Sequence, residues 1–277
     1  GVHFPSETAA FDIGYKALAV NLSDLAAMGA TPKWFTLALT CPPNMELWLA
    51  EFTQGLLTLA TQHHISLIGG DTTAGHLTVT IQICGFVPTG QALLRSGARV
   101  GDEIYVTGTL GDAGLGLLCV QNKVALPQKA REFVINRLNR PTPRLSESIA
   151  LRNLATSAID ISDGLVADLG HILTTSGVGA KIQVERLPLS PALREYEDAI
   201  NLALSAGDDY ELCFTVPQQK SVELSHMLPE DSYTKIGMIT ATPGLHCFLH
   251  DQKIKVPKSG YQHWAPEAAT KDLNLTR

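Results

Sequence analysis

The acidic residues that invite chemistry stand at the ends of apolar runs rather than in charged runs. Asp24 lies in "NLSDLAAMGA", Asp71 in "LIGGDTT", Asp160 and Asp163 in "AIDISDGL", and Asp208, Asp209 and Glu211 in "SAGDDYELCF". Separated carboxylates of this kind suit one chemistry best. Hard divalent cations take oxygen ligands, and Mg²⁺ commonly binds through a few carboxylates together with substrate phosphates. Phosphoryl transfer then needs little from a protein beyond positioning and charge neutralisation. Other chemistries lack their residues. H-E-x-x-H, G-x-S-x-G and both the dinucleotide and Walker glycine patterns are absent from the sequence, and the adjacent His63 and His64 point apart.

Each acid also has a plainer use. Asp24 falls on a helical apolar stripe, four residues after Val20 and three before Ala27, where a carboxylate is costly unless hydrogen-bonded, paired or metal-bound. It could simply cap a loop or pair with an Arg. Ser162 or Asp163 could N-cap the helix that follows, worth about 1 kcal/mol, though that leaves Asp160 over. If the chain is extended at Asp160 and turns at Asp163, both carboxylates face one crevice. Ser162 then offers a hydroxyl or a backbone N–H to a phosphate. Gly207-Asp208-Asp209 with Glu211 reads by default as a solvated turn. In "LIGGDTT" a short buried strand ends on two glycines, as either a turn or a close approach of backbone to phosphate. The glycines of "TGTLGDAGLGL" read as tight helix–strand packing. Tyr261 and Trp264, in "SGYQHW", are packing aromatics or a stacking surface for a flat ring.

The elements that must position these residues follow from periodicity. Residues 11–30 and 45–64 have helical spacing; "KWFTLALTCPP", "ISLIGG" and "LTVTIQICGFVP" read as strands. The first third is thus an α/β unit of three strands and two helices. After the polar "TGQALLRSGARVGD" come "DEIYVTGTLG", "SAIDIS", "AKIQVERLPL", "YELCFTVP", "YTKIGMIT" and a hairpin in "HCFLHDQKIKV" as strands. Helices "DAGLGLLCVQN", "AREFVINRL", "RLSESIALRNLA" and "VADLGHILTTSG" are interspersed without strict alternation, an α+β pattern. The expected division is 1–90 and 91–277.

The 277 residues are 45% hydrophobic and 17% charged, with a net charge of −6 and no basic run. That composition excludes an electrostatic footprint for nucleic acid, so an anionic ligand needs cations to reverse the local field. No apolar stretch approaches a membrane span. Five scattered cysteines without C-x-x-C argue for a reducing, cytoplasmic setting and against structural zinc. The opening "GVHFPSET" has no initiating Met and begins as though in mid-strand, which leads us to expect a missing N-terminal piece.

In order, "GVHF", "YKALAVNLSDLAAMGATP", "LIGGDTT", "RSGARVGDEIYVTGTLG", "IDISDGLVADLGHI" and "GDDYELCFTVP" closely resemble the bacterial thiamine-monophosphate kinase family, over nearly the whole chain. That family shares its architecture with aminoimidazole ribonucleotide synthetase and selenophosphate synthetase. The resemblance implies an N-terminal α/β domain that dimerises through its sheet, a C-terminal α+β domain, and ATP with several Mg²⁺ ions between them. It implies Asp24, Asp71, Asp160 and Asp163 as metal ligands, and Gly70, Asp71, Arg95 and Ser162 as ATP contacts. His3, Asp208 and Tyr261 are implied contacts of thiamine monophosphate, with no covalent or general-base residue. Two departures stand out. Asp208 replaces the usual Glu, and a leading segment with further metal-binding acids, Gly-Asp-Asp and Thr-Asp, is not in this sequence. From the second we expect weak nucleotide binding and poor turnover. The alternatives are a related ATP-using synthetase and an impaired dimeric binding protein.

Overall fold

The computed structural model describes residues 1–255 and Gly260. The first unit runs α1 (Ala10–Ala27), β1 (Thr31–Cys41), α2 (Glu46–Gln62), β2 (Ser66–Ala74) and β3 (Thr78–Phe86). The second begins with β4 (Glu103–Thr107), α3 (Asp112–Val120), α4 (Gln128–Asn139), α5 (Leu145–Leu151), β5 (Ser157–Asp160), α6 (Leu165–Ser176) and β6 (Gly179–Gln183). It closes with α7 (Pro191–Arg194), α8 (Ala199–Ser205), β7 (Leu212–Val216), α9 (Ser221–Met227), β8 (Tyr233–Thr240), β9 (Gly244–Leu249) and β10 (Gln252–Ile254). The short α7, α8 and α9 have too few turns to leave a periodic signal, and sequence reading passed over them. Among the described residues no helix is long and apolar enough to cross a membrane, and all five cysteines are free thiols.

No strand is shared between the two sheets. The first has the order β2-β1-β3, with β1 parallel to β2 and antiparallel to β3; the second has seven strands in the order β10-β9-β6-β8-β4-β7-β5. What joins them is α1. Its Leu18, Leu22, Leu25 and Ala26 pack in one cluster with Phe35 of β1 and with Leu151, Ala158, Leu212 and Phe214 of the second unit. A helix apolar on nearly all sides must be covered on nearly all sides, and two sheets do that here. A second core lies wholly within the C-terminal unit, around Ile104, Val106, Leu169 and Ile182.

The strand of "LIGGDTT" departs from expectation in two respects. It does not stop at the glycines: β2 continues through Asp71 to Ala74, because β1 offers ladder partners as far as Cys41. Nor is it buried, since β2 is an edge strand exposed along its whole length. Gly70 is still demanding. At φ +146° a Cβ on it would stand 1.8 Å from the carbonyl oxygen of Leu37.

The helices α1 and α2 approach backbone to backbone. A Cβ on Gly14 would lie 2.0 Å from the Phe52 carbonyl oxygen, and one on Gly55 would lie 1.9 Å from that of Phe11. Gly55→Ala therefore forces the pair apart and outweighs the higher helix propensity of alanine. We expect a loss of about 1–3 kcal/mol in urea unfolding; an unchanged midpoint would contradict this packing.

Candidate active site

The face of α1 that is not apolar carries Lys16, Ser23 and Asp24, spaced i, i+7 and i+8 and so aligned along one stripe. Opposite this stripe lie the turn from β5 into α6 and the loop before β7. Ser23 donates its hydroxyl to Asp160 Oδ2 at 2.7 Å, and Lys16 Nζ meets Asp208 Oδ2 at 3.1 Å. Asp24 is open to solvent on one side; partial burial on the other raises its carboxyl, and the Arg95 guanidinium opposes that rise. Asp160 is only 5% exposed, and burial pushes it up to about 6. The Ser23 hydroxyl and Arg95 lower it, whereas Asp24 raises it as a like charge. Asp24, Asp160 and Arg95 thus share one electrostatic neighbourhood at the seam. Arg95 and Ser162 sit beside it, Arg95 exposed and Ser162 half-buried.

The β5–α6 turn is organised by a residue that sequence reading missed. The backbone N–H groups of Ser162, Asp163 and Gly164 all donate to Asp168 Oδ2, at 3.0, 3.0 and 3.1 Å. Neither Ser162 nor Asp163 caps α6; its N-cap is Gly164, which has no capping side chain. The N–H of Ser162 is therefore committed, and only its hydroxyl can turn to a ligand. Burial pushes Asp168 up to about 7, backbone N–H groups lower it, and Asp163 and Asp160 raise it further. The only trace of this role in the sequence is a carboxylate one turn inside a helix that follows D-x-S-D-G, which reads as an ordinary first-turn acid.

The "GDDYE" segment is not a solvated turn. Asp209 and Glu211 are buried: Asp209 Oδ2 accepts the Gly111 N–H at 2.7 Å, and Glu211 receives Arg144 through both oxygens at 2.6 and 2.7 Å. These two acids belong to the interior of the C-terminal unit. Asp208 alone of the three reaches the seam. The glycine-rich turn before α3 likewise directs its Gly111 N–H to Asp209 rather than to an open cradle.

Asp71 lies on the face of the first sheet opposite the helices. It faces Ala38 on β1, and its neighbour Thr73 bonds Thr40 at 2.9 Å on that same side, away from Leu39 and the helices. Leu39 packs with Ala10 and Ile13 at the start of α1, whereas Leu25, beside Asp24, touches the level of Gly85 and Thr31. Asp71 thus stands on the outer face of the sheet, toward the end of β1 that meets the start of α1. The register of an edge strand, not its composition, decides this. His3 is exposed on the arm before α1, near Phe4, which packs with that helix's first turns. Tyr261 lies outside the described residues; a Cβ on its neighbour Gly260 would stand 1.7 Å from the Asp163 carbonyl oxygen.

Among the described residues no three His, Cys, Asp or Glu side chains close on a single point. Asp24 and Asp160 nonetheless suit a hard cation. They are oxygen donors, they repel each other, and both carboxyls are raised, so a cation between them relieves a cost already present. Mg²⁺ commonly takes one or two carboxylates and keeps its remaining positions for water and phosphate.

Residues 1–87 match the AIR synthase related protein, N-terminal domain, and residues 99–250 match the corresponding C-terminal domain. The two-sheet chain is thus of the AIR synthase related class. It is 49% identical over 275 residues to thiamine-monophosphate kinase of Escherichia coli (strain K12), covering 96% of this chain and 84% of that one. The crystal structure of thiamine-monophosphate kinase from Stenotrophomonas maltophilia K279a matches with a TM-score of 0.85 at 48% identity, over 89% of this chain and 81% of that one. AaThiL complexed with AMPPCP and TMP matches at 0.84 and 32% identity, over 95% and 84%. The chain belongs to the thiamine-monophosphate kinase family.

The raised acids set a pH dependence. Between about pH 4 and 7 the folded chain holds protons on Asp160 and Asp168 that the unfolded chain has released, so their contribution to stability falls as pH rises through that window. In metal-free buffer Asp160→Asn should flatten the lower part of this decline. At pH 7.5 it should be more stable than wild type by about 1–2 kcal/mol. Equal or lower stability there would show that Asp160 is not held against its charge.

Proposed function

We propose that the chain catalyses ATP-dependent, Mg²⁺-dependent phosphorylation of thiamine monophosphate to thiamine diphosphate. The observation that carries this reading is the acidic seam itself, in a chain whose relatives are thiamine-monophosphate kinases. Asp24, Asp160 and Arg95 stand together across α1, and Asp163 and Asp208 flank them. A triphosphate beside these carboxylates needs cations between the two sets of oxygens. Asp24 and Asp160 would hold Mg²⁺, with Asp163 at the edge for a further ion. When bound, the metal neutralises the charge that develops on the transferring phosphoryl group.

The chain's own groups do the rest. Arg95 supplies a fixed cation toward the nucleotide phosphates, and the Ser162 hydroxyl is free to donate to them. Asp208 and His3, with Tyr261, are assigned to the thiamine monophosphate end. The acceptor is a phosphate oxygen that is already ionised near neutral pH, so no general base is required. Transfer is direct and in line, and no side chain is phosphorylated. Gly70 and Asp71, on the open face of the first sheet, are assigned to ATP and its metal. We assign that face to pairing with a second copy of the chain, since Leu67, Ile68 and Phe86 of its outer strands are exposed there or at its edge.

Titration with ATP tests the reading. Heat should appear only with Mg²⁺, and Asp24→Asn should weaken ATP binding by roughly tenfold or more. A coupled assay should show ADP release that requires thiamine monophosphate. Metal-independent heat, no heat at all, or ADP release prompted equally by a ribosyl phosphate would each exclude it.

A further inference from the structure

We propose that Lys16 is a positioning residue for the acceptor end of this site, its ammonium reaching across the seam to fix the Asp208 carboxylate in the cleft. The inference rests on the phosphoryl-transfer reading above and adds a residue to it. Lysine is almost never buried without a partner. Lys16 is 6% exposed in the middle of α1, and the partner it reaches belongs to the other unit of the fold, Asp208 Oδ2 at 3.1 Å. The other oxygen of that carboxylate accepts the Tyr210 hydroxyl at 3.1 Å. Asp208 is therefore gripped from both sides of the seam, although its side chain remains about a third exposed (34%).

The backbone around it is held just as firmly. Asp208 and Tyr210 both have left-handed conformations, φ +69° and +50°, which a bulky residue such as tyrosine avoids. Their N–H groups donate to the carbonyls of Ser162 and Ile161, each at 2.8 Å, and Asp209 between them turns into the interior to accept the Gly111 N–H. Strain of this kind persists only where the surroundings over-determine it, and it concentrates at functional sites. The effect is to aim residues 208 and 210 into the cleft while residue 209 anchors the loop. Stability alone is a poor reason to bury the lysine, because an apolar pair of similar volume is often as stable as a buried ion pair. What the ion pair adds is a fixed location for one carboxylate, tied to both units at once.

The test compares Lys16→Met, which keeps the stem, with Lys16→Arg, which keeps the charge. Thiamine monophosphate is titrated into each variant in the presence of AMPPCP and Mg²⁺, and steady-state constants are measured for both substrates. Lys16→Met should raise the Kd and KM for thiamine monophosphate by roughly tenfold or more, with kcat and the KM for ATP within about threefold of wild type. Lys16→Arg should recover most of the loss. Unchanged acceptor constants, or an equal rise for ATP, would overturn the proposal. If Lys16→Met does not fold, Tyr210→Phe takes its place, since it frees the same carboxylate without stranding a buried charge. A raised acceptor KM supports the inference and an unchanged one overturns it. A wild-type chain that gives no heat with thiamine monophosphate overturns the phosphoryl-transfer reading instead.

Discussion

The arrangement depends on one helix having to satisfy two cores. Apolar residues of α1 are claimed by Phe35 of the first sheet and by Phe214 and Leu212 of the second. Only a narrow stripe is left over, and it faces the seam between the units. Lys16 and Ser23 are buried at that seam, where a polar group without a partner would cost several kcal/mol. Asp208 and Asp160 supply their partners, and Asp24 beside them is exposed. The second unit meets them with Asp160 and Asp208, carried on the two segments that flank its β5–β7 edge.

That geometry brings like charges together, and the consequences are visible in the acids. Asp160 is pushed up by burial and by Asp24; Asp168 is pushed up by burial and by Asp163 and Asp160. Arg95 offsets only part of the repulsion at Asp160. A fold that wanted stability alone would place asparagine or an apolar residue at these positions; on the reading proposed above, the uncompensated charge serves a ligand that brings its own cations.

Much of this was legible in the residues. Helical and strand periodicities located the long elements of both units, and the exceptional positions of Asp24, Asp160 and Asp208 at the ends of apolar runs marked the seam. Three things were not legible. Asp71 reads like its fellows, yet the β1–β2 register turns it to the open face, and register is a tertiary property that a glycine-rich edge strand does not encode. Asp209 and Glu211 look solvated beside Asp208, but Arg137, Arg144 and Gly111, distant in sequence, draw them inside. Asp168 looks like an ordinary first-turn acid until its three backbone donors are seen.

Asp168 and Asp209 also decide how an anion can be bound here. A helix N-terminus after a tight turn is a ready phosphate cradle, because its N–H groups lack partners and its dipole favours negative charge. This chain has two such starts near the seam, at α3 and at α6. In both, a carboxylate of the protein already accepts the N–H groups, Asp209 at Gly111 and Asp168 at Ser162, Asp163 and Gly164. Those N–H groups of the two turns are therefore closed to a phosphate. On the reading proposed above, a polyphosphate would meet Arg95 and carboxylates that bind phosphate only through an intervening ion, while Lys16 stays committed to Asp208. On that reading, the same residues that make the seam repel a bare anion would suit it to a metal-bound one.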